Sequence, residues 1–245
     1  MALPFHWNNV PYEFGTAFHS CQDGTVPPHS RRTDALSRDR IVDAAIALLD
    51  VSGADALTFR ALGSALNTGS GAIYHHVAGK DELLAAATDA VLRPILAVPA
   101  GDRDPREAIR ELALTLFDTI DDHPWLAAQV MADPGRPANL LFSERIGSAV
   151  LAMDPPDAAL FDAATAIVGY VLGAAAQNAA NARSELARSG PGREELLGDV
   201  AARIEQLDPA EFPYLRRIAG TMARHDDRAQ FLAGLDLLLA GIDAL

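Results

Sequence analysis

Lysine is nearly missing from this chain. Of its 20 basic residues only Lys80 is a lysine. Cysteine is as scarce, with Cys21 alone. One thiol allows no intrachain disulfide, which fits a reducing compartment. Aromatic residues make up only 6% of the 245 residues, and β-branched residues are sparse. No long apolar/polar alternation occurs, so a sheet protein is not expected. No apolar run reads as long enough to span a membrane. Residues 1–30 lack the basic start and apolar centre of a signal peptide, so the expected location is cytoplasmic. There is no G-x-S-x-G, no Gly-rich phosphate loop and no H-E-x-x-H. Neither an enzyme nor a bound cofactor or metal is therefore expected.

What is abundant is alanine, leucine and acid. Hydrophobic residues reach 49%, enough for a large core. Ala and Leu lose little on entering a helix, so the expected fold class is all-α. The formal net charge is −13, which by itself disfavours a nucleic-acid partner. The charge is uneven, however. Residues 31–80 set Arg31, Arg32, Arg38, Arg40, Arg60 and Lys80 against five aspartates, a net +1. Residues 81–245 come to −12 and the first thirty to −2.

Residues 1–30 hold Pro4, Pro11, Pro27 and Pro28 and no helical period. They read as an extension, either free or docked through Phe5, Trp7, Tyr12, Phe14 and Phe18. From Ser37 the pattern turns helical. Ile41, Ala44, Ala45, Leu48 and Leu49 share one face, with Ser37 as N-cap and Gly53 as the stop. A second helix is expected over about 58–66 and a third over about 70–76, joined by Asn67-Thr68-Gly69. A fourth begins at Lys80. Further helices are expected near 80–97, 105–122, 124–132, 137–153, 156–188, 192–206, 210–224 and 227–244. They are punctuated at Pro99/Gly101, His123-Pro124, Pro134-Gly135, Pro155-Pro156, Gly190-Pro191-Gly192 and Pro209.

Two short helices joined by a three-residue turn with a helix breaker form a helix-turn-helix, whose second helix enters the major groove. Ser70, Gly71 and Ala72 open that helix and are small enough for close approach to base edges. Tyr74, His75 and His76 follow along it. Thr58 and Lys80, each at a helix start, are placed to hold phosphates, and Arg60 to reach a guanine. Tyr74-His75-His76 is a poor metal pair, because neighbouring helical side chains point about 100° apart. Asp121-Asp122-His123 resembles a catalytic cluster but reads as a helix end before Pro124.

The stretches "RIVDAAIALLDVSGADALTFRALGSAL" and "GAIYHHVAGKDELL" within residues 38–84 resemble the DNA-binding domain of the TetR family of transcriptional repressors. Tyr74, His76, Val77, Lys80, Asp81 and Leu83 fit its pattern, Ile73 replaces the usual leucine, and Asn67-Thr68 replaces a commoner Gly-Val. "DHPWLA" at 122–127 agrees less specifically. After the extension at 1–30, the resemblance implies a three-helix helix-turn-helix DNA-binding domain (31–80) and a larger helical ligand-binding and dimerisation domain (81–245). It implies a homodimer that binds a palindromic double-stranded DNA operator and is released by a small-molecule inducer. Helices near 156–188 and 227–244, both broadly apolar, are the expected dimer interface. Candidate ligand-binding residues are Phe117, His123, Trp125, Gln129, Met131, Phe142, Tyr170, Gln177 and Asn178. The competing reading is a helical small-molecule-binding or interaction protein with a vestigial DNA-binding head.

Overall fold

A computed structural model describes residues 36–97, 103–186, 193–222 and 226–245. The N-terminal extension, with Cys21, Arg31 and Arg32, and the breaks at Pro99/Gly101 and Gly190-Pro191-Gly192 lie outside the described residues.

All regular structure among the described residues is helical, in eleven helices. Three form the head: α1 (Arg38–Ala56), α2 (Phe59–Ala65) and α3 (Ser70–Tyr74). Then come α4 (Lys80–Leu96), α5 (Pro105–Asp122), α6 (Leu126–Ala132), α7 (Pro137–Leu151), α8 (Asp157–Leu186), α9 (Arg193–Glu205), α10 (Pro213–Met222) and α11 (Asp227–Asp243).

Helix starts follow local chemistry. The Ser37 hydroxyl accepts from Arg40 N–H, Thr58 from Ala61 N–H, and Asp104 from the Arg106 and Glu107 amides. Pro105 and Pro137 occupy first turns, where no amide partner is lost.

Several boundaries differ from expectation: α6 starts at Leu126, α7 ends at Leu151 and α10 starts at Pro213. Two more differences shape the head. Gly53 does break α1, with φ 72° and ψ 177°, but helical turns resume to Ala56. The third helix ends at Tyr74 rather than His76. The Ile73 carbonyl accepts from both His76 and Val77 N–H, which closes the helix in a tight turn.

One continuous core runs from head to body. In the head it holds Ile41, Ala45, Leu49, Leu62, Ile73 and Val77. In the body it holds Leu83, Leu96, Ile109, Leu126, Ile146, Ile167 and Leu235. Exposed ion pairs tie α5 to α11: Arg106 with Asp243, Arg110 with Asp236 at 2.7 Å, and Arg228 with Asp118 at 3.2 Å.

The sequence reading that no run reaches membrane length needs correction. Over Asp157–Ala182, α8 is long and apolar enough to cross a membrane by length and composition. The helix reads as broadly apolar in the sequence, but its membrane-compatible length does not stand out, because that apolarity comes largely from alanine and glycine rather than a block of large residues. Only 22% of its most apolar window is buried within the chain. Val171, Ala175 and Ala179 face the core, while Phe161 is 76% exposed and Gly169 and Gly173 are also exposed.

Candidate nucleic-acid interface and effector body

The α2–α3 unit is held at three points. Leu62 and Ile73 are fully buried beneath it. In the turn, Asn67 takes φ 51°, a left-handed conformation asparagine tolerates better than most residues. The turn then folds back, and Thr68 N–H donates to the Gly63 carbonyl at 2.8 Å. On the outer side the Phe59 and Tyr74 rings stack, 4.2 Å apart and 2° from parallel.

Gly63 is the residue the sequence reading missed. A Cβ there would lie 2.8 Å from the Thr68 carbonyl oxygen, closer than real Cβ atoms come. A buried glycine inside a seven-residue helix, just before the Asn turn, was the available signal.

The groove-reading candidates lie around this unit. Arg60 and Ser70 line one shallow depression with Asn67 and Thr68. Thr58, Arg60, Gly71, Tyr74 and His75 are exposed, while Ser70, Ala72, His76 and Lys80 are half-buried. A Cβ at Gly71 would meet nothing, so open space lies beyond that face. Tyr74 keeps 56% of its surface despite its stack on Phe59.

Lys80 opens α4. Two residues on, in the same first turn, Glu82 accepts from Ala78 N–H at 2.6 Å and pairs with Arg38 at 2.7 Å. These contacts, the backbone amide first, hold the Glu82 carboxyl below the ordinary glutamate range.

The candidate ligand residues go to separate places. Phe117 and Tyr170 both stack on Phe231, with centroids 4.5 and 5.6 Å away. The Tyr170 hydroxyl donates to the Phe231 carbonyl at 2.8 Å, where Gly234 leaves room for the ring. Burial holds the Tyr170 phenol above its ordinary range. His123 and Trp125 meet at Asp50. Gln177 bonds Asn181, and Asn178 donates to Asp121 at 2.9 Å. Gln129 is half-buried on α6 and Phe142 buried on α7, while Met131 is exposed. Asp121-Asp122-His123 closes α5, with His123 as its C-cap.

Asp121 stands among carboxylates. Burial first, then the charges of Asp122, Asp118 and Asp227, push its pKa up; Asn178 opposes this only in part.

Comparison with known proteins agrees with this architecture. Residues 41–87 match the model described as "Bacterial regulatory proteins, tetR family". Residues 98–245 match "Tetracyclin repressor-like, C-terminal domain". The chain is 31% identical over 218 residues to an HTH-type transcriptional regulator of Saccharopolyspora erythraea, covering 88% of each. It is similar to the solved transcriptional regulator SCO7222, a TetR from Streptomyces coelicolor. Identity there is 46% and the TM-score 0.76, over 86% of this chain and 99% of that one. It is also similar to ActR from Streptomyces coelicolor, solved in complex with actinorhodin, at 26% identity and a TM-score of 0.69 over 86% and 98%. The chain belongs to the TetR family and is a DNA-binding transcriptional regulator of the repressor type.

Proposed function

We propose that the protein is a ligand-responsive repressor. It binds a palindromic operator as a homodimer and leaves it when a small molecule occupies the body. The observation that carries this reading is the rigid α2–α3 unit, which turns Gly71, Tyr74 and His75 to solvent while Leu62 and Ile73 anchor it. In this reading Ser70, Gly71 and Ala72 approach base edges and Tyr74, His75 and Arg60 flank them. Thr58, His76 and Lys80 hold phosphates. The head spans residues 31–80 and the effector body 81–245.

The dimer reading rests on unpartnered apolar surface. Phe161 and the glycines of α8 are exposed, and on α11 Leu237 is 76% exposed. Small residues let a second helix approach closely, and two such helices per chain make a two-fold face. The ion pairs to α5 fix α11 so that Leu237 stays outward. Similarity to ActR, solved with actinorhodin, supports a small-molecule effector. His123, Trp125, Gln129 and Phe142 on α5–α7, with Phe117, Tyr170, Gln177 and Asn178 on α5 and α8, are the proposed effector-side residues.

The test is binding to the intergenic DNA beside its own gene, by fluorescence anisotropy at two salt concentrations. Tight, palindrome-dependent binding is expected, with log affinity falling by roughly 0.9 per neutralised phosphate for each decade of salt. Binding that ignores the palindrome or the salt would sink the repressor reading.

A further inference from the structure

Among the polar contacts that reach α1 from outside the head are two ties. One is the exposed Arg38–Glu82 pair at its first turn. The other is Asp50, whose Oδ1 accepts from the Trp125 indole N–H at 2.7 Å and contacts His123 Nδ1 at 2.8 Å. Twelve residues separate Arg38 from Asp50, about 18 Å along a helix. A rod held at two points that far apart cannot rotate freely. Along one side, α1 and α4 are parted by an open groove of about 580 Å³ lined by Arg38, Asp39 and Asp43 against Glu82, Asp89 and Arg93. Beneath that groove the two helices still pack, with Ile41, Val42, Ala45 and Leu49 in one core with Leu83 and Ala87.

The partners of Asp50 form the α5–α6 corner. Trp125 is 3% exposed, and its single N–H donor is buried, so it requires this acceptor. His123 ends α5 and meets the Trp125 ring edge-on at 6.1 Å. An ionised carboxylate only accepts, so His123 presents Nδ1–H to it. The next helix, α6, packs on α4 and α8. One corner thus touches the head directly through Asp50 and the departing helix through α6.

We infer that Asp50 is the positioning residue of the DNA-reading head: a displacement of the α5–α6 corner reaches α1 through the bonds from Trp125 and His123, in parallel with α4. The inference rests on the repressor reading above for its consequence, but the joint can be tested without DNA. Trp125→Phe keeps a packed ring and removes the donor. Asp50→Ala removes the acceptor at a partly exposed, helix-tolerant position. Spin labels at Asp55→Cys and Ser143→Cys, in a Cys21→Ser background diluted with unlabelled chain, report the head–body distance within one protomer. The wild type should give one narrow distribution. Each variant should broaden it about twofold, and the double variant should add nothing further, as coupled sites do. An unchanged width in both variants overturns the inference, whatever happens to the melting temperature. If Trp125→Phe does not fold, Asp50→Ala decides alone.

The DNA arm uses operators whose half-site spacing is changed by one base pair, which turns a half-site by roughly 34°. Wild-type affinity should fall about tenfold and the variants' less than about threefold. Equal losses count against the joint. A wild type that binds no palindrome refutes the repressor reading, and the label distances still judge Asp50.

Discussion

Gly63→Ala tests the turn that aims the recognition helix. In an ordinary helix interior this change stabilises by about 1 kcal/mol, because alanine is the better helix former. Here the added methyl would meet the Thr68 carbonyl oxygen at 2.8 Å, with Ser70 N only 3.6 Å away. Both atoms are backbone, so no rotamer change relieves the contact. The Thr68 carbonyl belongs to the residue whose N–H bonds back to Gly63. Moving it strains or breaks that bond. Overpacking of this kind costs up to about 3 kcal/mol, which leaves a net loss near 2 kcal/mol after the helix gain. For a chain of this size that lowers the melting temperature by about 4–8 °C. Operator affinity should fall with it, since the turn sets where α3 points. Circular-dichroism melts at one protomer concentration, with anisotropy on the operator, provide both numbers. A Gly63→Ala protein that melts at or above the wild-type temperature would refute the close-packing argument outright.

Gly71→Ala is the counterpart: its methyl meets nothing, so stability should rise by up to about 1 kcal/mol while operator affinity drops, because the methyl occupies the groove face. Tyr74→Phe should keep the stack on Phe59 and the melting temperature, yet bind the operator about fivefold more weakly for lack of the hydroxyl, measured by anisotropy. Leu237→Arg places a charge on the exposed apolar side of α11 and should yield monomers in sedimentation; an intact dimer would move the interface elsewhere. Asp121→Asn should raise the melting temperature at about pH 7 and leave it unchanged at about pH 3. The sign follows from the raised pKa: the folded state penalises the carboxylate, the penalty is full above that pKa, and it lifts as pH falls through it. The amide oxygen can still accept from Asn178.

The helices were legible because their signals are local. Ser37 and Thr58 cap where expected, and Pro105 and Pro137 mark true starts. The Asn67 turn was legible for the same reason, since its left-handed backbone depends on one residue type. Gly63 was not, because its importance comes from a carbonyl five residues away that only the folded turn brings near. Asp50 read as one acid among many; its partners are 73 and 75 residues further on. Phe117 and Tyr170 stand in the sequence as single aromatics 53 residues apart, and no pattern along the chain reveals that both converge on Phe231. The apolar surface of α8 was legible as composition, but which of its faces is bare required the packed neighbours.

The α9–α10 pair is a unit of its own within the body. These helices pack chiefly on each other, around a small cluster of Ala201, Ile204 and Ala219 distinct from the main core. Substitutions there leave the seating of α8 against α5, α7 and α11 untouched. The hairpin is therefore a place where the chain can be cut back or extended with little cost to the main core, an attachment point for a tag or label on the body.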